Sequence, residues 1–164
     1  MVIERILVPV DFSEESLNAV AYARYLAKQF EAELLLLHVI EPIHFITESE
    51  VYTQQRHLSQ AQLGRLAEAL RGEGQRFRNM IKGGIPSKVI VETARSARAS
   101  LIVMGTHGRT GLAHAVIGSV AEKVVRTASC PVLTVRRPAR SDRKRSGGWD
   151  ADRPVEVARH ISRE

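Results

Sequence analysis

Cysteine, aromatic residues and long apolar runs are all scarce in this chain, and each scarcity closes off a class of protein. The single cysteine, Cys130, leaves no disulfide framework and no multi-cysteine metal site. Aromatic residues make up 5% of the chain, too few for the stacking platforms that hold single-stranded nucleic acid. No apolar run approaches the roughly 18 residues needed to span a bilayer. The opening residues, Met1-Val2-Ile3-Glu4-Arg5, lead straight into structured sequence without an apolar leader, so a cytoplasmic location is the expectation. The six histidines include His107 and His114, seven apart, which is no recognised ligand spacing. No nucleophile–base pair stands out either. Accordingly no catalytic residue and no metal ligand is assigned.

What is present is one domain's worth of chain, 164 residues. Hydrophobic residues at 44% and charged residues at 26% suit a soluble globular protein with a core of its own. The net charge of +6 is the odd feature and, taken alone, suggests a polyanion partner. Its location says otherwise. Residues 1–135 carry 15 Lys/Arg against 13 Asp/Glu, whereas residues 136–164 carry 9 against 5. The excess therefore sits at the C-terminal end, densest from Arg136 to Arg145. Residues 137–164 lack apolar periodicity and are expected to form a disordered basic tail, with a short helix over 153–163 the one element their pattern allows. Such a tail solubilises, or meets nucleic acid or an acidic partner.

Four runs rich in Val, Ile and Leu predict buried parallel strands: 6–10, 33–39, 101–104 and 132–135. A weaker run over 76–81 alternates and is expected nearer an edge. Ser13 suits a helix N-cap, followed by Glu14 and Glu15. Leu17, Val20, Ala23, Ala27 and Phe30 then mark one apolar face. Residues 52–71 repeat the spacing with Leu63, Leu66, Ala67 and Leu70. Pro86 opens a third helix carrying Val89, Ile90, Ala94 and Ala97. Ser119 is expected to cap a fourth, lined by Val120, Ala121, Val124, Val125 and Ala128. This alternation predicts an α/β fold, a doubly wound, Rossmann-like parallel sheet with helices on both faces. The segment 41–57 is long enough to be a functional loop.

The stretch Met104-Gly105-Thr106-His107-Gly108-Arg109, continuing to Gly118-Ser119-Val120, follows a buried strand and opens into a helix. That context suits a phosphate: glycines let backbone N–H groups approach an anion, and a helix N-terminus favours negative charge. A Walker A loop would need Gly-Lys-Ser/Thr, which is absent. A dinucleotide fingerprint belongs after the first strand, where Pro9-Val10-Asp11 stands instead.

The pattern Gly105-x-x-Gly108, nine residues, then Gly118-Ser119 resembles the nucleotide-binding motif of the universal stress protein family. Val8-Pro9-Val10-Asp11, Leu36-Leu37-His38-Val39, Gly84-Ile85-Pro86 and Ser129-Cys130-Pro131-Val132 agree with it. The resemblance covers residues 2–136, so a domain over 1–136 is expected. Ser100 departs from it, at a place where the family often has Asp. The resemblance implies five parallel strands in the order 3-2-1-4-5. Such an order reverses between strands 1 and 4, and a ligand crevice opens there beyond the strands' carboxyl ends.

In the family's ATP-binding branch, the resemblance implies that Pro9, Val10 and Asp11 flank the adenosine, with Asp11 on the base or ribose. Val39 then lines the adenine pocket, and Met104 and Gly105 form the floor. Gly108, Gly118, Ser119 and Val120 surround the phosphates, with His107 and Arg109 inside the loop. ATP is the implied ligand, with Mg2+ or Mn2+ bridging its phosphates, and homodimers pair through the strand at 131–135. Plainer readings stand beside these. The glycines serve tight turns and helix packing, Asp11 caps a helix, and Val39 and Met104 are ordinary strand residues. The expected function is an ATP-binding stress-response regulator or adaptor with slow or no hydrolysis, since nothing positions a water or supplies an activating lysine. The alternatives are an ATP-hydrolysing or nucleotidyl-transferring enzyme of the adenine nucleotide α-hydrolase-like group, an interaction module using its basic tail, and a binder of another adenine nucleotide.

Overall fold

Leu34 through Leu37 are all fully buried. Successive strand residues point to opposite faces, so four in a row can be buried only if the sheet is covered on both sides. The computed structural model, which describes residues 2–41, 50–71, 74–106 and 117–136, shows that cover. The elements are β1 (Arg5–Pro9), α1 (Glu14–Phe30), β2 (Glu33–Ile40), α2 (Glu50–Arg71), β3 (Phe77–Gly83), α3 (Pro86–Ser96), β4 (Leu101–Gly105), α4 (Ser119–Thr127) and β5 (Val132–Val135). The five strands are parallel and lie in the order β3-β2-β1-β4-β5, as expected.

Each face has its own core. Ile6, Val8, Leu34, Leu36, Leu101 and Val103 pack under α1 and α2, against Leu17, Val20, Leu63 and Leu66. Leu7, Leu35, Leu37, Ile102 and Met104 pack on the other face, against Val89, Ile90 and Ala94 of α3 and Ala121 and Val124 of α4. The alternation along each strand thus sorts its residues between two helical layers.

The helix signals act as anticipated at α1 and α3. Ser13 caps α1, its hydroxyl accepting from Ser16 N at 3.2 Å. Pro86 lies in the first turn of α3. The weak run proves to be the edge strand β3, half-covered, with Arg78 paired to Glu33 at 3.3 Å.

Three expectations need correction. Gly118, not Ser119, is the N-cap of α4, with extended backbone at φ −69° and ψ 153°, and Ser119 is the first helical residue. Phe30 is 50% exposed, because it ends α1 one residue before the left-handed Glu31 turns the chain toward β2. Val125 is 47% exposed, because the sheet beneath α4 ends at the four-residue β5. The expected tail over 137–164, and residues 42–49 of the segment 41–57, lie outside the described residues; from Glu50 onward that segment is helical.

Candidate functional site

The sheet order reverses between β1 and β4, the point at which folds of this kind open a crevice beyond the strands' carboxyl ends. The β1–α1 loop leaves there, as does the β4–α4 connection, of which Thr106 and residues 117–118 are described.

The β1–α1 loop is tied down at almost every residue. Val10 N donates to Leu37 O at 2.8 Å, and Val10 O accepts from His38 Nδ1 at 2.7 Å. Two consecutive residues of β2 thus grip the residue that follows β1. The Asp11 carboxylate accepts from Ser13 N at 3.0 Å and from the Ser13 hydroxyl. Asp11 N in turn donates to Ser16 Oγ at 3.3 Å. Phe12 between them has φ 64°, a left-handed backbone that costs a bulky residue about 1–2 kcal/mol. Its ring lies against the buried His38 imidazole, 4.8 Å between centroids and tilted by 39°.

On the other side, Thr106 is the junction. It is buried, its N–H donates to Val135 O at 3.2 Å, and its carbonyl accepts from Gly118 N at 2.7 Å. One residue, through the peptides on either side of it, therefore joins the end of β4, the end of β5 and the start of α4. This bond brings Gly118, Ser119 and Val120 back to the end of β4. The α4 N-terminus carries no side-chain cap bond, and Ser119 is exposed. The first-turn N–H groups of a helix are not used within it and favour an anion. The one acid in that turn, Glu122, pairs with Arg126 at 3.6 Å.

Strand alternation sorts the sequence-predicted residues. Pro9, Val39, Met104 and Val120 lie on the α3–α4 side, where Val39 and Val120 are half-buried and Met104 is 6% exposed. The Val10 side chain is on the opposite side, in the core beneath α1. Gly105 also faces α1: a Cβ there would sit 3.1 Å from the Glu15 carbonyl carbon and 3.2 Å from its oxygen. Its lack of a side chain is already required by helix packing. His107, Gly108 and Arg109 lie outside the described residues.

Sequence reasoning gave no role to Phe12, Thr106 or the contact of Tyr52 with Gly83. A Cβ on Gly83 would approach the Tyr52 hydroxyl to 2.8 Å. Glycine beside an aromatic on a neighbouring helix was the only available signal for that pair. A left-handed phenylalanine carries no local signature at all. Among the described residues, no group of three or more His, Cys, Asp or Glu is placed to hold a metal ion, and no helix is long and apolar enough to cross a membrane.

The model of the universal stress protein family matches residues 3–136, which is every element of the sheet and its helices. The chain belongs to that family. A universal stress protein of Methanocaldococcus jannaschii is 35% identical over 144 residues, covering 82% of this chain and 83% of the relative. Among solved structures, a universal stress protein from Lactobacillus plantarum superposes with a TM-score of 0.68 at 26% identity, covering 83% of this chain and 99% of that one. A universal stress protein solved in complex with cAMP matches with a TM-score of 0.58 at 26% identity, over 82% and 98% of the two chains. The relationship thus spans nearly the whole of each partner and reaches a structure that holds an adenine nucleotide.

Proposed function

We propose that this universal stress protein binds an adenine nucleotide, with ATP the first candidate, in the crevice beyond β1 and β4, and that binding is its function. The observation that carries the reading is the double engagement of Thr106, which returns the uncapped start of α4 to the carboxyl end of β4. The phosphates would lie at Gly118, Ser119 and Val120, where backbone N–H groups and the helix dipole favour negative charge. Gly108, with His107 and Arg109, belongs to the same loop in the sequence. The adenosine would lie along Pro9, Val39 and Met104, which share one side of the sheet, with Asp11 at the base or ribose. Val10 contributes by holding the strand end, since its side chain and both backbone polar groups are engaged within the protein.

The site fits such a ligand: an N-cap without a Cβ, an exposed hydroxyl beside it, and an apolar floor. A bound Mg2+ or Mn2+ would neutralise the phosphates, with the exposed Ser119 hydroxyl as a ligand the chain offers in that turn. The chain acts as a stress-response regulator or adaptor in the cytoplasm, hydrolysing ATP slowly or not at all. Its homodimer forms through β5, the open end of the sheet. The relative in complex with cAMP favours a second reading, in which a cyclic or other adenine nucleotide takes the same crevice.

Mass spectrometry of ligand released from freshly purified protein, with calorimetric titration of ATP, ADP, AMP and cAMP, tests the reading. Retention of an adenine nucleotide supports it. No retained nucleotide, and no binding at millimolar ATP with magnesium, overturns it. Gly118→Val places a branched side chain at the start of α4 and should weaken ATP by about tenfold or more, equivalent to about 1.4 kcal/mol, with an unchanged circular dichroism spectrum.

A further inference from the structure

We infer that His38 is a positioning residue of the nucleotide site, acting through Asp11; the inference rests on the binding site proposed above. His38 touches both neighbours of Asp11 in the chain. Its Nδ1 lies 2.7 Å from Val10 O, and its ring lies 4.8 Å from the Phe12 ring. A carbonyl oxygen can only accept, so Nδ1 carries the proton of that bond. Asp11 is therefore bracketed by one hydrogen bond and one ring contact from a single buried side chain, 6% exposed.

Ser13 and Ser16, at the start of α1, restrain Asp11 from the helix side. Without His38 the grip of β2 on the residue before Asp11 would fall to the single bond from Val10 N to Leu37 O, while Phe12 stands in a left-handed conformation that its surroundings must maintain. Nothing in α1 can supply the grip from β2, because Val10 is the residue that bridges the two strands at this level. The imidazole thus fixes where the Asp11 carboxylate points relative to the crevice.

The chemistry can be divided by substitution. In asparagine the side-chain amide nitrogen stands at the same bond distance from Cβ as Nδ1 does, so His38→Asn keeps the donor and loses the ring. His38→Phe keeps the ring and loses the donor, and His38→Leu is a second donorless variant should phenylalanine not be accommodated. ATP affinity of the full chain is measured by calorimetry for the wild type, each of these, Asp11→Ala, and His38→Phe combined with Asp11→Ala. Thermal melting is followed in parallel.

Loss of the donor should weaken ATP about tenfold, and His38→Asn should restore at least half of that loss on a logarithmic scale. In the Asp11→Ala background His38→Phe should change affinity by less than about twofold, because the route through Asp11 is already cut. Wild-type affinity in both donorless variants, an Asp11→Ala variant that binds normally, or losses that multiply in the double variant would each overturn the inference while leaving nucleotide binding intact. If the wild type binds no adenine nucleotide, the proposed site fails and this role fails with it. A lower melting temperature at unchanged affinity marks a merely structural histidine and also overturns it.

Discussion

Gly105 shows how a missing side chain can serve packing. The first turn of α1 lies against it so closely that a methyl group would press on the backbone of Glu15. Gly105→Ala is expected to cost about 1–3 kcal/mol in urea unfolding without any nucleotide present, the usual penalty for overfilling a packed site. An unchanged midpoint would show that α1 can move away freely. Cys130 offers a second test at this scale. Burial raises its thiol above the usual cysteine value, so less thiolate is present at any given pH. Its alkylation by iodoacetamide at pH 8 should be slower than that of the same residue in urea, and should accelerate as pH rises. The sign for stability follows: the folded state favours the neutral thiol, so this contribution fades as pH rises past the unfolded thiol's pKa.

At the scale of elements, β5 is the informative one. It has four residues and forms one end of the sheet. Ile102 N donates to Pro131 O and Thr106 N to Val135 O, so the odd-numbered residues of β5 face β4. In a strand the intervening residues turn their polar groups the other way. Val132 and Thr134 therefore present N–H and C=O to the open edge, which is the pairing surface of the proposed homodimer. Thr134→Pro removes an outward N–H and no bond to β4, a change that edge strands tolerate. Sedimentation should show monomer for this variant at concentrations where the wild type is dimeric, with melting reduced only as far as the lost dimer explains. At the opposite end, β3 carries exposed Arg78 and Lys82, charges of the kind that keep an edge from pairing.

At the scale of the molecule, the balance of charge differs between residues 1–135 and residues 136–164. Residues 1–135 are nearly neutral, and the basic run starts at Arg136, directly after the residue whose carbonyl bonds to Thr106. The chain thus leaves the sheet at the carboxyl end, the end at which nucleotide binding is proposed. Truncation after Arg136 should leave the melting temperature within about 1 °C of the full chain, because no described core residue lies beyond Val135. Retention on heparin should fall, while ATP affinity stays the same. A drop in ATP affinity on truncation would show that the tail takes part in the nucleotide site.

The sequence by itself determined the strands, two of the four helix starts and the alternation of elements, because burial on two faces leaves continuous apolar runs and because Ser13 and Pro86 act within a few residues of themselves. Its glycine spacing pointed to the end of β4 and the start of α4, which the bond from Gly118 N to Thr106 O brings together. What it left undecided depends on residues distant in the chain. Pro9 and Val10 are adjacent, yet alternation at the end of β1 puts them on opposite sides, and only the placement of the helices says which side meets α1 and which meets α3 and α4. Gly118 rather than Ser119 caps α4, and its N–H is held by Thr106 from the end of β4. His38 reads as one polar residue in an apolar run until β1 brings Val10 and Phe12 to it. Local propensity is written in neighbouring residues, but a hydrogen bond between strands exists only once the sheet has been assembled.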